Sequence, residues 1–497
     1  MPDVHLFLLI HGLWGHPFHL AQAKAELEAA WHAHTPSSTG THGTPGTPDG
    51  DVTGAETTPL HTSSVCSSDS GDTMVDRLNL RMRPDLVVVV AEGMTAMLTY
   101  DGVDVCASRV AWEVDEHIAE IEHGGRRVTH ISILGYSLGG MVARYLVGLL
   151  EARTPSFFDK HIPVSFTTIA TPHLGVARYN TLLSNVVFWL GARLLSRSGE
   201  QMHLVDTYSE MDPRPLLEVM ADPKHVWHQA LARFDQVHVY ANTINDNTVP
   251  FPSAAIASTD PFVQWTERGL DVDADDAGIV SHWRFPHGGA PRKRKVRFHL
   301  GSLPPTLRFR WPYSWMILAL FPIVFPILAL FVFCRFSLDT RRSRLRLQRL
   351  ARSYSDISPE SGASPIPSPH GLSIDALRAA IRAVERSLEQ DLMEAADAAD
   401  TAPSPPEDEP DSPAYPEPTI KALLSDSQHR MVYWLNQLEP TRHLAWFPGV
   451  ANAHAVIVVR DPAKFAVHER GRGVLQHWAR VAVHAAEEAV LVKESAT

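Results

Sequence analysis

The stretch Gly135-Tyr136-Ser137-Leu138-Gly139 constrains this chain more than any other. It fits G-x-S-x-G, follows the strand-like run His130–Leu134, and precedes a helical stretch, Gly140–Leu150 (GMVARYLVGLL). A serine hydroxyl is a poor nucleophile and must stand out of a sheet on a tight turn where a histidine can reach it. Glycines two residues either side let that turn pack closely, and the following helix aims its N-terminus at the developing oxyanion. The bare five-residue pattern also arises by chance in loops. The strand before it and the amphipathic helix after it are the context that the motif requires.

The surroundings predict the same class of fold. Strand-like runs at Val4–Ile10, Asp85–Val90, Val128–Leu134, Val164–Ile169 and Val237–Asn242 alternate with helical patterns such as Phe18–His34 and Asp104–Ile121. Continuous Val/Ile/Leu strands separated by helices predict a mostly parallel sheet covered on both faces, an α/β class. Thr35 to Asp76 interrupts the alternation with a Thr/Ser/Gly/Pro tract that reads as a disordered surface insertion.

Length and composition set wide bounds. The 497 residues allow two or three domains, and the net charge of -12 argues against nucleic acid as a partner. Much of that acidity sits in the tract around Glu407-Asp408-Glu409, so it says little about a catalytic surface. Cys66, Cys106 and Cys334 lie far apart, match no zinc spacing and read as thiols in a reducing compartment. The apolar run Val4–Ile10 lacks a basic region before it and runs into His11-Gly12-Leu13-Trp14-Gly15, so it reads as a first core strand rather than a signal peptide. The site is then expected to face the cytosol.

After Pro252 the regular alternation stops. A basic stretch from Arg292-Lys293-Arg294-Lys295 through Arg310 precedes the uncharged Trp311–Phe333, and seven arginines follow within Arg335–Arg352. The apolar stretch is long enough to cross a bilayer, but Pro322 and Pro326 disturb a helix there. Basic residues on both sides conflict with a single span and favour a hairpin dipping into one leaflet, with a buried core helix as the alternative. Ser353–His370 and Thr401–Pro418 read as acidic, Pro/Ser-rich linkers around one amphipathic helix marked by Ile374, Leu377, Ile381, Val384 and Leu388. Order is expected again from Ile420, with a helical pattern to Leu438 and a strand-like run at Ala455–Val459. The resulting division is a core from 1–34 and 77–255, an insertion at 35–76, and a second at 256–352 carrying the apolar 311–333. A linker follows at 353–419, and 420–497 forms the C-terminal part of the core.

A serine nucleophile needs a histidine base and an acid that orients it. Asp246 lies in Asn245-Asp246-Asn247-Thr248, just past Val237–Asn242, at a strand's C-terminal end where such acids sit. The base must be found among 27 histidines. After Asp246 the candidates are His282, His287, His443, His454, His468 and His477. His454 stands beside the strand-like Ala455–Val459, and His282 is the runner-up; the residues alone leave both open. The oxyanion hole is expected to take the N–H of Leu138 and a second from the turn after the first strand, at Leu13 or Trp14. This chemistry needs no metal or organic cofactor.

Taken together, separated motifs resemble the fungal serine esterase family that includes lipid-droplet phospholipases and monoacylglycerol lipases. They are Leu9–Gly15 (LIHGLWG), Leu98–Cys106 (LTYDGVDVC), Gly135–Gly140, Thr168–Gly175 (TIATPHLG), Tyr240–Asn242 with Asn245-Asp246, and Asn452–Arg460 (NAHAVIVVR). The T-Y-D-G-x-D and T-P-H-L-G elements are far more specific than the elbow itself. The resemblance implies an α/β-hydrolase fold, a Ser137–Asp246–His454 triad, and action on acyl esters of lipids at a membrane or lipid-droplet surface. It favours His454 over His282. It also implies glycerolipid or phospholipid substrates and a place on lipid droplets or the endoplasmic reticulum membrane. Two features depart from the pattern: the long insertion Thr35–Asp76, and Tyr136 where many lipases have histidine. The same residues allow two other readings, an acyltransferase that passes the acyl group to an alcohol, and a silent membrane-anchored scaffold.

Overall fold

A computed structural model describes residues 1–33, 83–176, 196–285, 334–349 and 424–496. Six strands, β1 (Asp3–Ile10), β2 (Asp85–Val90), β3 (Arg127–Tyr136), β4 (Ile162–Ile169), β5 (Gln236–Asn242) and β8 (Thr441–Ala445), form one sheet in the order β2-β1-β3-β4-β5-β8. Every pairing in it is parallel. A separate antiparallel hairpin joins β6 (Asp271–Ala274) to β7 (Val280–Arg284).

The central strands β1, β3 and β4 are almost wholly buried because helices cover both faces. Side chains alternate along β1: Val4, Leu6, Leu8 and Ile10 enter one core cluster, while Phe7 and Leu9 enter the other. The helices Val103–His123 and Leu138–Glu151 close the first cluster. Ala21–Ala33 and the long helix Arg472–Ala496 pack together over the second. This is an α/β-hydrolase fold.

Strand order places the site. From β1 the chain moves outward to β2, then returns to β3 on the other side of β1. The connections leaving β1 and β3 therefore diverge at a topological switch point, where crevices open at the carboxyl ends of such sheets. The register sets Ile10 beside Gly135, so the turns after both strands meet.

Several expectations need comment. The run Ala455–Val459 is not a strand. Ala453–Val456 makes one helical turn, and Val456 to Val459 pack into the second core cluster. A short, wholly buried apolar run looks the same in either conformation, so periodicity could not separate them. The sixth strand is instead β8, whose sequence TRHLA has an exposed Thr441 and Arg442. It pairs with β5 at the edge of the six-stranded sheet, where a polar, short strand is the rule, and its end, Ala445, makes one antiparallel bridge to Ile279. The helical pattern after Ile420 is realised as Asp426–Asn436, started by a Ser425/Gln428 capping box.

The expected insertion at 35–76, the apolar stretch at 311–333 and the linker at 353–419 lie outside the described residues. Within the expected insertion at 256–352, the described parts include the β6–β7 hairpin and a helix over 334–349. Among the described residues no helix is long and apolar enough to cross a membrane.

Candidate active site

Ser137 sits at the tip of the turn between β3 and the helix Leu138–Glu151, with φ 55° and ψ -125°. That left-handed backbone is costly for a residue with a Cβ and is typical of a functional elbow. The surrounding sequence permits it. A Cβ on Gly139 would lie 2.2 Å from the carbonyl oxygen of Ile10, so only glycine lets the elbow sit against β1. A Cβ on Gly12 would lie 2.8 Å from the Cβ of Ser137, which shows how closely the turn after β1 passes the serine.

The hydroxyl of Ser137 lies 3.0 Å from Nε2 of His454. Nδ1 of His454 lies 3.0 Å from Oδ2 of Asp246. Both the imidazole and the carboxylate are almost fully buried. With Nδ1–H donating to Asp246, Nε2 is left as the acceptor that faces the serine. The carboxylate is itself held on all sides. Its Oδ1 accepts the backbone N–H groups of Thr248 (2.9 Å) and Val249 (2.8 Å), and its Oδ2 also accepts the side-chain amide of Asn242 (2.8 Å). Burial alone would push the Asp246 carboxyl up, but His454 and these hydrogen bonds outweigh it and hold the group below its usual value.

The backbone of His454 is fixed from two directions. The side chain of Asn452 accepts its N–H (3.2 Å), and the hydroxyl of Tyr136 donates to its carbonyl (2.9 Å). Neither role was read from the sequence. Asn242, Tyr136 and Asn452 all lie within four residues of a candidate site residue and inside the motifs that carry the family resemblance, but neither signal states what they hold.

The turn Gly12–Gly15 is closed by Gly15 N–H to the carbonyl of Gly12 (3.0 Å). The N–H of Trp14 is taken by Thr99 Oγ1 (3.2 Å), which leaves Leu13 as the candidate in this turn whose N–H is not engaged by Thr99. Leu138 opens the helix after the nucleophile. On the far side, fully buried Arg144 donates to the carbonyl of His173 (3.2 Å) and so braces the Thr171–Leu174 turn; burial lowers its pKa to about 10.

The other histidine candidates fall elsewhere. His282 is on β7, mostly exposed, 3.4 Å from Asp273. His443 lies on β8 against His238 (3.2 Å), His477 meets the hydroxyl of Tyr240 (3.0 Å), and His468 accepts the N–H of Asp461 (3.0 Å). His287 lies outside the described residues.

Known proteins are similar to parts of this chain. The model of a family described as "Putative serine esterase (DUF676)" matches residues 64–259, a stretch that holds Ser137 and Asp246 but not His454. A "Putative lipase C4A8.10" of Schizosaccharomyces pombe is 37% identical over 131 residues, 26% of this chain and 16% of that protein. Two Saccharomyces cerevisiae proteins, "Putative lipase YDL109C" and "Putative lipase ROG1", are 30% and 28% identical over 27% and 33% of this chain. The matches span about a fifth of the length of these curated relatives, 20% and 22% for the last two. A solved "putative cell surface hydrolase from Lactobacillus plantarum WCFS1" aligns with 50% of this chain and 74% of its own at 13% identity and a TM-score of 0.22, too low to bear on the fold.

Proposed function

We propose that this chain, a hydrolase similar to serine esterases and lipases, cleaves acyl esters of glycerolipids or phospholipids through Ser137, His454 and Asp246. The observation that carries the reading is the continuous chain of two 3.0 Å contacts from Ser137 through His454 to Asp246. In this mechanism Nε2 of His454 takes the hydroxyl proton as Ser137 Oγ attacks the ester carbonyl. Asp246 keeps the imidazole in the right tautomer and stabilises the imidazolium that forms. The N–H groups of Leu13 and Leu138 steady the tetrahedral oxyanion. His454 then returns the proton to the leaving alcohol, and water, activated by the same base, deacylates Ser137 and frees the fatty acid.

Support for a lipid substrate comes from the relatives' description as lipases and from the uncharged stretch 311–333 between arginine-rich flanks. Such a stretch would hold the enzyme on a membrane or lipid-droplet surface where its substrate is concentrated. The endoplasmic reticulum membrane and the droplets that carry its lipids are the matching places.

Labelling of the detergent-solubilised chain by a fluorophosphonate tests the chemistry. Wild type is expected to label, and folded Ser137→Ala and His454→Ala to lose labelling. Labelling that survives in folded His454→Ala would remove His454 from the mechanism. Incubation with a labelled phospholipid or monoacylglycerol, with and without an acceptor alcohol, then separates free fatty acid from a transferred acyl group.

A further inference from the structure

The motif Thr99-Tyr100-Asp101-Gly102-Val103-Asp104 takes no part in the chain from Ser137 to Asp246, yet two later segments end on its carboxylates. Asp101 is fully buried and binds two guanidinium groups, Arg109 at 2.6 Å and Arg346 at 2.7 Å, and it accepts the hydroxyl of Ser343 at 2.6 Å. Arg346 also donates to the carbonyl of Met97 (3.0 Å). Asp104 receives Arg197 (2.7 Å) and Gln201 (3.0 Å) from the helix Ser196–Met202. The hydroxyls of Ser196 and Ser343 meet at 3.1 Å and join the two docked helices.

The helix 334–349 reaches beyond the motif to the turn after β1. Phe336 stacks on Trp14, with ring centroids 5.9 Å apart at 28°. Trp14 has a φ of 53°, a left-handed backbone that a non-glycine residue keeps only when its surroundings impose it. The surroundings here are specific. Thr99 Oγ1 accepts its N–H, the hydroxyl of Tyr100 accepts its indole N–H (2.9 Å), and Phe336 covers its ring. The same turn carries Leu13 directly after Gly12, where an added Cβ would lie 2.8 Å from that of Ser137. A motif that holds Trp14 with two residues and the helix 334–349 with a third therefore links that helix to the oxyanion side of the site.

We propose that the helix 334–349, clamped by Asp101, positions the Gly12–Gly15 turn, so that Arg346 and Phe336 are positioning residues for the oxyanion donor Leu13. The inference rests on the proposed serine chemistry and on Leu13 as one of its donors. Losing the clamp leaves Asp101 with one guanidinium and frees Trp14 to relax its backbone, which moves the Leu13 N–H off the oxyanion. An oxyanion donor acts on the transition state more than on bound ester, so the loss is expected in kcat and not in KM.

The test uses the full chain and p-nitrophenyl butyrate, a soluble ester that needs no lipid surface. Arg346→Gln is expected to lower kcat about tenfold at unchanged KM, less than the 10²–10³-fold cost of deleting a donor outright. Phe336→Leu, which disturbs no buried charge, is expected to lower kcat severalfold in the same sense, and Arg346→Lys to recover part of the loss. Should Arg346→Gln fail to fold, Phe336→Leu decides. An unchanged kcat in folded Phe336→Leu, or a loss confined to KM, overturns the inference while the triad stands. Wild type that neither labels with fluorophosphonate nor turns over the ester overturns the serine chemistry itself, and the inference with it.

Discussion

The hydroxyl of Tyr136 donates to the backbone carbonyl of His454 at 2.9 Å, and the two rings lie 5.2 Å apart. The residue directly before the nucleophile thus holds the backbone of the proposed base, although the two are 318 positions apart in the chain. The position where many lipases carry histidine therefore has a task of its own here. Tyr136→Phe removes the donor and leaves a buried carbonyl unpaired, a loss of about 1 to 3 kcal/mol. The expected outcome is a lower melting temperature and slower fluorophosphonate labelling at an unaltered fold, followed by thermal denaturation and time-resolved labelling. Labelling at the wild-type rate would show that the base needs no such tether.

Two of the donors on Asp246, the N–H groups of Thr248 and Val249, reach Oδ1 and would still find an amide oxygen there. Asn242 can turn its unpartnered Oδ1 towards a new NH2, so an isosteric amide can occupy the place without disturbing the loop. Asp246→Asn should fold normally and lose roughly 10⁴ in kcat, because the imidazole is then stabilised in the wrong tautomer. His282→Ala serves as the contrast. That side chain is mostly exposed beside Asp273 on the β6–β7 hairpin, and its removal should leave turnover of p-nitrophenyl butyrate unchanged.

Gly139→Ala places a methyl 2.2 Å from the carbonyl oxygen of Ile10 and 2.5 Å from that of His11. Both obstacles are backbone of the central strand and its exit, and neither can swing aside. The variant should lose stable folding outright. Gly125→Ala, at a φ of 78° with open space around it, should cost only about 1 to 2 kcal/mol of backbone strain. Comparing the two soluble yields and melting temperatures separates steric exclusion at the elbow from left-handed strain alone.

Acid should destabilise the fold before it titrates most carboxylates. Burial is the main cause that lowers His11 to about 4, His238 to about 4 and His443 to about 3, with neighbouring histidines adding to each shift. Each is neutral in the fold and protonated on unfolding below about pH 6.5. The unfolded chain then binds more protons, so the stability present above pH 6.5 falls as the pH drops towards 4. Each such histidine removes about 1.4 kcal/mol per pH unit across that window. Calorimetry between pH 8 and pH 4 checks this, and a flat melting temperature from pH 7 to pH 5 would contradict it.

Much of the core was legible because its signals are local. The aliphatic runs at β1 to β5 and the amphipathic stretches between them sit within single elements, and G-x-S-x-G carries its strand and helix on either side. Asp246 follows the same logic, four residues past the end of β5. His454 does not. Its neighbours suggested a strand, and the chain there makes one helical turn under the sheet. Residue type left His282 and His454 open, and it was the family resemblance that pointed to the second.

The sequence by itself determined the parallel α/β class, the elbow at Ser137 and the loop that holds Asp246, since each depends on residues a few positions apart. The tertiary structure decided which of 27 histidines faces the serine, that Thr99 takes the N–H of Trp14, and that β8 closes the edge of the sheet. It also decided that Asp101 receives Arg346 from 245 positions away. The physical reason is common to all four. These contacts join residues from 85 to 317 positions apart, and only the packing of helices on the sheet determines which distant side chains meet.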